Sequence, residues 1–250
     1  MDLQEEVNKW SVRLDFQDCL GAKRKEYLNS KPFPHVTIDD FLPSFLAEAV
    51  HDTFPALDDP IWEDKGSHFQ VTGGVASKYE LGHIGSFPQP IRTAFEEFLF
   101  CPKFVDFVST VTGIPDLYAD QELKGGSLSG GLNAVEKGGS LVRHVDFNFS
   151  KELKMYRAVN VLLYLNKDWS VEDGGNLDLW DRHLVGPPKT VISRLNRCLI
   201  FATNSDTYHG YERVLTDRTR KSINLYLYTK EPSPKVEAIP RKTDWRPVLT

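Results

Sequence analysis

The sequence predicts an α+β protein in which N-terminal helices brace a mainly β core, folded as a double-sheet jelly roll or barrel. Up to about residue 115, apolar residues recur at helical spacing. Beyond that point, short β-rich runs alternate with turns such as Gly174-Gly175 and Gly186-Pro187-Pro188. Many short strands at this spacing are typical of a jelly roll, and the preceding helices would cover one of its faces.

The N-terminal region is expected to be mostly helical. Residues 1–30 place Val7, Trp10 and Leu14 on one stripe of a helix. The following Lys31-Pro32-Phe33-Pro34 favours extended backbone, because the residue before a proline avoids the helical region. Further helices are predicted at residues 44–54, 89–100 and 102–112, with short strands at 36–38 and 69–71.

The β core is expected to follow without a linker. Its strands are predicted at residues 127–135, 140–148, 157–166, 176–180, 190–194, 197–203 and 220–229. We therefore predict a single domain over residues 1–250. Within it we expect a helix-rich support region at 1–115, a catalytic β core at 116–230 and a C-terminal extension at 231–250.

Composition and charge narrow the class of protein. The net charge of −5 and the pI near 5.8 argue against general nucleic-acid binding, which usually requires a basic surface. No stretch approaches the roughly 18 apolar residues of a membrane span, and no basic start precedes an apolar run at the N-terminus. The three cysteines, Cys19, Cys101 and Cys198, are widely spaced, which disfavours a disulfide framework. We expect a cytoplasmic protein with no nucleic-acid or membrane partner, and the oligomeric state stays open.

A candidate metal site begins in Val142-Arg143-His144-Val145-Asp146. Side chains two apart on a strand share one face, so His144 and Asp146 can reach the same ion. His209, beyond the strand at 197–203, offers a second imidazole. Two histidines and one carboxylate with open coordination positions form the facial triad of non-haem Fe(II) oxygenases. Without His209, the alternative for the His144 and Asp146 pair is a surface histidine beside an aspartate.

A second candidate site lies on the strand that starts at Arg220. One face carries Ile223, Leu225 and Leu227, and the other carries Arg220, Ser222, Asn224 and Tyr226. A buried arginine is costly unless it is paired, so Arg220 is predicted to bind a ligand carboxylate, with Ser222 adding a hydroxyl donor. The strand at 158–166 alternates in the same way and would place Tyr164 beside that carboxylate. The alternatives are an exposed charge for Arg220 and a plain core role for Tyr164.

Taken together and in this order, these segments resemble the prolyl-hydroxylase-like branch of the Fe(II)/2-oxoglutarate-dependent dioxygenases. The resemblance covers roughly residues 130–230. It is carried by Val142-Arg143-His144-Val145-Asp146, Tyr164-Leu165-Asn166-Lys167-Asp168-Trp169, Gly174-Gly175-Asn176-Leu177-Asp178-Leu179-Trp180, Asn196-Arg197-Cys198-Leu199-Ile200-Phe201, His209-Gly210 and Arg220-Lys221-Ser222.

The resemblance implies a double-stranded β-helix (jelly-roll, cupin-like) core. It implies that His144, Asp146 and His209 bind Fe(II), and that Arg220 binds the distal carboxylate of 2-oxoglutarate with help from Tyr164. The implied reaction consumes O2, converts 2-oxoglutarate to succinate and CO2, and removes hydrogen from a substrate C–H bond, usually to hydroxylate it. Fe(II), 2-oxoglutarate and O2 are thus the expected cofactors, with ascorbate as a supporting reductant.

Two departures from the family pattern stand out. Several relatives place a tyrosine about ten residues before the first iron ligand, where this chain has Ala134, and Asn133 is a candidate replacement. The spacing from His209 to Arg220 is eleven positions, where some relatives have nine. The presence of Asp146, which related halogenases lack, predicts hydroxylation rather than halogenation.

The substrate is left open among amino acids, prolyl peptides and other small molecules, because fold alone does not fix function. The segments expected to select it are residues 65–85, 124–135 and 147–155, with Phe147, Asn148 and Asn224 as candidate contacts. A hydrogen bond between strands is the alternative role for Asn224. The alternative functions are a non-catalytic metal-binding jelly roll and a zinc hydrolase that uses the same three ligands.

Overall fold

The described part of the computed structural model comprises residues 3–15, 17–64, 78–123, 129–232 and 238–246. Its helices are α1 (Leu3–Asp15), α2 (Gln17–Asn29), α3 (Ser44–Asp52), α4 (Gln89–Thr93), which continues as a π-helix over Ala94–Leu99, and α5 (Pro102–Thr112). A short 3₁₀ turn covers Ile84–Ser86. The helices predicted from the sequence are therefore confirmed, and Gly113, with φ of 68°, ends α5 in the left-handed conformation.

The strands confirm the predicted β-rich C-terminal half and add short ones to it. They are β1 (His35–Ile38), β2 (Glu63–Asp64), β3 (Lys78–Leu81), β4 (Tyr118–Ala119), β5 (Gly130–Val135), β6 (Leu141–Val145), β7 (Phe149–Ser150), β8 (Met155–Tyr164), β9 (Leu177–Trp180), β10 (Lys189–Val191), β11 (Arg197–Ala202), β12 (Tyr208–Tyr211), β13 (Arg220–Thr229) and β14 (Asp244–Trp245). The strand predicted at 69–71 lies outside the described residues.

Two antiparallel sheets form the predicted jelly roll. The major sheet has the order β1-β11-β8-β13-β5-β3-β2, with β4 beside β13 and β7 beside β8, and the minor sheet has the order β10-β9-β12-β6-β14. An apolar cluster joins their facing sides, with Leu162 and Phe201 from the major sheet and Leu177 and Leu179 from the minor sheet. This is the packing of a double-sheet sandwich.

The helices cover the other side of the major sheet, as predicted. Ile223, Leu225 and Leu227 of β13 point into a second, larger core together with apolar residues of β8. Trp10 of α1 enters this core, and its ring lies 4.9 Å from that of Phe98 in an edge-on contact. Val7 is also buried there, whereas the side chain of Leu14 is outside the described part.

The C-terminal extension adds a strand to the minor sheet. In β14, Asp244 pairs with Val145 and Trp245 pairs with His144. Asn148, which is fully buried, donates from Nδ2 to the carbonyl of Ile239 and accepts from the backbone N–H of Arg241. The part of the extension that the structure describes is therefore bound to the strand that carries the first candidate metal ligand.

Within the described residues, no helix is long and apolar enough to cross a bilayer. Cys19, Cys101 and Cys198 all carry free thiols, in agreement with the expected lack of a disulfide framework.

Candidate metal centre and active site

The three predicted metal ligands lie together at the minor sheet. His144 of β6 and His209 of β12 sit directly opposite each other in the antiparallel ladder. Asp146 follows β6, and its carboxylate oxygens lie 3.5 Å from Nε2 of each histidine. A Cβ on Gly210 would come 2.5 Å from the carbonyl oxygen of Leu141, so glycine is required for β12 to approach β6 this closely.

Backbone carbonyls fix the proton positions on both imidazoles. Nδ1 of His144 lies 2.9 Å from the oxygen of Val142, and Nδ1 of His209 lies 2.9 Å from that of Thr207. A carbonyl can only accept, so each Nδ1 carries a proton when the ring is neutral, and each Nε2 presents its lone pair. Burial lowers the pKa of His209 to about 4, with His144 adding to the effect, so His209 is neutral at pH 7.

Asp146 is held as a carboxylate by two buried neighbours. Asn160 donates from Nδ2 to its Oδ2 over 2.7 Å, and Nη2 of Arg157 lies 3.1 Å from the same oxygen. Burial acts to raise the pKa of Asp146, but Arg157, His209 and His144 outweigh burial and hold the pKa well below its ordinary value. Because Oδ2 is occupied by these two donors, Oδ1 is the freer oxygen for an ion.

This arrangement fits a metal ion. The ligand atoms of His144, Asp146 and His209 all lie within 4.8 Å of one another, and all three residues are buried. Two imidazoles and one carboxylate, on one side of a cavity, match the donor set of a non-haem Fe(II) centre. The candidate site predicted from sequence spacing is thus assembled by the fold.

Arg220 lies in the same cavity and is 4% exposed. Its Nε donates to the carbonyl of Gly175, and its Nη2 lies 3.4 Å from Oγ of Ser193. Across the described part of the chain, no carboxylate forms an ion pair with its guanidinium. Since an uncompensated buried charge is unfavourable, this end of the cavity suits an anionic ligand.

Two tyrosines flank Arg220. Its Cζ lies 5.2 Å from the ring centre of Tyr164 and 4.3 Å from that of Tyr211. Both hydroxyls are buried, and among the described residues that of Tyr211 has no hydrogen-bond partner. Burial raises the pKa of Tyr164 to about 12 despite the opposing effect of Arg220, so its hydroxyl keeps its proton as a donor.

The cavity that joins the triad to Arg220 has a volume of about 260 Å³. Ser222 and Asn224 line it as predicted, although the Ser222 hydroxyl donates to Oδ1 of Asn224 over 3.1 Å. Phe147 also lines the cavity, and its ring centre lies 4.9 Å from Cζ of Arg157. Asn148 is not among the lining residues, because its amide anchors the C-terminal segment.

Comparisons with known proteins agree with this site. Residues 130–228 match the family model described as the 2OG-Fe(II) oxygenase superfamily, and this segment contains the triad and Arg220. Over these residues, the chain is similar to the 2OG-Fe(II) oxygenase superfamily.

The similarity of this chain to curated proteins extends beyond the matched segment. It is 27% identical over 236 residues to the prolyl 3,4-dihydroxylase OGFOD1 of Ostreococcus tauri, a match that covers 86% of this chain and 42% of that protein. The chain thus spans about two fifths of the length of the curated relatives it matches.

Solved structures share the fold of this chain. A prolyl hydroxylase from Trichoplax adhaerens, in complex with a hypoxia-inducible-factor peptide fragment, has a TM-score of 0.61 and 16% identity, and the match covers 92% of this chain and 94% of that one. The epimerase SnoN, solved with Fe3+, alpha-ketoglutarate and nogalamycin RO, has a TM-score of 0.56 and 16% identity, with 93% and 96% covered. At these identities the likeness confirms the predicted fold.

The structure shows where the chain departs from the pattern that the sequence resembles. Ala134 packs in the helix-covered core, while the neighbouring Asn133 lines the cavity opposite Ser222 in the β5–β13 ladder. In the longer stretch between His209 and Arg220, the backbone of Val214 exchanges hydrogen bonds with Gly138 and Gly139. Residues 65–77 and 124–128, within segments expected to select the substrate, are outside the described residues.

Several cavity-lining residues were not singled out from the sequence, although Lys78 and Glu80 fall within the segment 65–85 that was expected to select the substrate. These residues are Lys78, Glu80, Arg157, Asn160, Tyr211, Thr243 and Trp245, all of which line the cavity. Lys78 pairs with Glu80, and although burial lowers the pKa of Lys78, the attraction of Glu80 outweighs burial and raises it overall. A signal existed for Asn160, which shares the interior face of its strand with Tyr164, and for Tyr211, which is two positions from His209.

Proposed function

We propose that this protein is an Fe(II)- and 2-oxoglutarate-dependent oxygenase that hydroxylates a C–H bond of a peptide or small-molecule substrate. One observation carries the proposal. A single buried cavity holds a His-Asp-His triad, His144, Asp146 and His209, together with Arg220, a buried cation that no carboxylate of the described chain neutralises. A metal site with an anion-binding arginine beside it is what a dicarboxylate co-substrate requires.

When bound, Fe(II) and 2-oxoglutarate would supply the activation of O2, which side chains alone cannot provide. His144, Asp146 and His209 would hold the iron, and the carbonyls of Val142 and Thr207 would keep both Nε2 atoms free for it. Arg220 would orient the co-substrate through its distal carboxylate.

For the substrate, the first candidate is a prolyl residue in a peptide. The curated relatives are named as prolyl hydroxylases, and the Trichoplax adhaerens structure contains a peptide. A small molecule is the second candidate, since SnoN was solved with nogalamycin RO. Phe147 and Asn224, as cavity-lining residues, remain candidate substrate contacts, and Asn148 would act indirectly by holding the C-terminal segment.

The alternative functions fit the site less well. A zinc hydrolase needs a general base, and the cavity-lining carboxylate besides Asp146, within the described chain, is Glu80, which pairs with Lys78. A non-catalytic metal-binding jelly roll has no use for a buried, uncompensated Arg220 beside the metal ligands.

The test is succinate formation by anaerobically purified protein supplied with Fe(II), 2-oxoglutarate, ascorbate and O2. Prolyl peptides and free amino acids are added one at a time, and chloride is included in a parallel set. We expect slow succinate release without substrate, stimulation by one member of the panel, and a hydroxylated rather than chlorinated product. The matched control is His209→Ala, which should abolish succinate release.

No succinate from a protein that binds iron stoichiometrically would favour the non-catalytic alternative. A chlorinated main product would contradict the role given to Asp146. A cytoplasmic location stays a prediction, which microscopy of the tagged protein would check.

A further inference from the structure

Tyr211 is a buried residue whose polar atom has no assigned use. Its side chain is 5% exposed, and its hydroxyl has no hydrogen-bond partner in the structure. Leaving a buried hydroxyl unsatisfied costs about 1–3 kcal/mol, so such groups are rare unless a ligand or water completes them. A phenylalanine would fill the same apolar surroundings without this cost.

The position of Tyr211 identifies the ligand. It lies on β12 two residues after His209, so both side chains point towards the interior between the sheets. Its ring lies 4.3 Å from Cζ of Arg220, closer than the ring of Tyr164 at 5.2 Å. Tyr164, whose hydroxyl is also buried, lines the same end of the cavity.

We propose that Tyr211 binds the co-substrate, donating its hydroxyl to the 2-oxoglutarate carboxylate that Arg220 holds. This inference rests on the proposed function. Tyr211 would then contact the co-substrate, which Ala134 cannot do. Ala134 has no side-chain donor and packs in the helix-covered core. The Tyr211 hydroxyl on β12 and the Arg220 guanidinium on β13 thus bind the same carboxylate.

The test is calorimetric titration of 2-oxoglutarate into anaerobic, Mn(II)-loaded protein, for the wild type and Tyr211→Phe. Losing a hydrogen bond to a charged group should weaken 2-oxoglutarate binding about tenfold or more. Thermal unfolding without metal or 2-oxoglutarate should be unchanged or slightly improved in Tyr211→Phe, because the lost hydroxyl had no partner. A purely structural tyrosine would give the opposite pair of results.

The matched control is Tyr27→Phe, another buried tyrosine, which packs in the helix-covered core and bonds the backbone of Ala202. It should lower thermal stability and leave 2-oxoglutarate affinity unchanged. A second titration uses 2-oxopentanoate, which has a methyl group in place of the distal carboxylate. The affinity of the wild type and of Tyr211→Phe for this probe should be equal.

The outcomes separate the two proposals. If the Mn(II)-loaded wild type does not bind 2-oxoglutarate, the proposed function fails and the role of Tyr211 fails with it. If the wild type binds and Tyr211→Phe binds equally well, only the role of Tyr211 is overturned. An equal loss with 2-oxopentanoate would overturn the assignment to the distal carboxylate.

Discussion

At the residue scale, the candidate iron ligand Asp146 depends on a neighbour that the sequence motif does not include. Asn160 donates to Oδ2 of Asp146 and accepts from Nε and Nη2 of Arg157, at 3.0 and 2.7 Å. Arg157 in turn lies 3.5 Å from the ring centre of Tyr226. The carboxylate is thus oriented by a chain of buried contacts from β8 and β13.

We predict that Asn160→Ala weakens Fe(II) binding by roughly tenfold or more, because outer-shell partners of metal ligands typically contribute 10–100-fold in affinity. Anaerobic titration with Fe(II) would measure this. Asn224→Ala is the matched control, since Asn224 lines the cavity but hydrogen-bonds Ser222 and Tyr226 instead. Equal affinity for Fe(II) in Asn160→Ala and the wild type would contradict the positioning role.

Arg220 supports a second prediction at this scale. Arg220→Ala should raise the dissociation constant of 2-oxoglutarate by about a hundredfold, as a charge-assisted pair worth about 3 kcal/mol is lost, and should leave Fe(II) binding intact. Arg218→Ala is the control, because Arg218 is exposed and pairs with Asp173. Unchanged 2-oxoglutarate affinity in Arg220→Ala would remove the basis of its assignment.

At the element scale, the long strands were predictable and several of the short ones were not. In β13, and in β8 from Val159 onward, successive residues face the core and the cavity in turn. β12 and β14 contain four and two residues and carry no such period. They are strands because β6 pairs with both of them, which local sequence cannot reveal. Tyr211 and Trp245 were missed for this reason.

The edge strand β1 gives a prediction on stability. Asp39 follows β1 and accepts from Nε of Arg197 at 2.7 Å and from Nη2 of Arg194 at 2.6 Å. Hydrogen bonds from Arg197, against the effect of burial and with help from Arg194, lower the pKa of Asp39 to about 2. A carboxylate with a lowered pKa stabilises the fold above its unfolded pKa near 4, and this contribution fades as pH falls towards 2.

We therefore expect Asp39→Asn to lower the free energy of unfolding by about 1 kcal/mol at pH 7, a modest value because the pair is partly exposed. Urea unfolding between pH 7 and pH 2.5 should show that the difference in free energy of unfolding between the wild type and Asp39→Asn becomes smaller below about pH 4. If the difference in free energy of unfolding between the two proteins stays constant across this range, the ion pair is not its cause.

At the scale of the whole molecule, the metal centre joins separate parts of the chain. His144 comes from β6 and Asp146 from just after it, His209 and Tyr211 come from β12, and the opposite sheet supplies Arg220 and Tyr164. The sequence could predict which side chains meet in the cavity because ligand chemistry and strand parity are local. It could not predict the contacts of Arg157, Asn148 or Trp245, because these depend on how the sheets meet.

Metal binding should therefore stabilise the entire fold. Adding Mn(II) at about 100 times its dissociation constant should contribute about 3 kcal/mol, which corresponds to a rise of several degrees in Tm for a chain of this size. Differential scanning calorimetry would record the shift, and His209→Ala should remove most of it. An unchanged Tm in the wild type would show that the triad does not bind the ion in the folded state.

The pairing of β14 with β6 has a practical consequence for anyone who shortens this chain. The family match stops at residue 228, and a cut there would keep the triad and Arg220. It would also remove Trp245, whose ring stacks on that of His144 with 4.6 Å between the ring centres. The outer edge of β6 would then expose free backbone donors and acceptors, which favour sheet-to-sheet aggregation. A truncated protein that precipitates or loses iron would reflect an unprotected edge and not a fault in the catalytic residues.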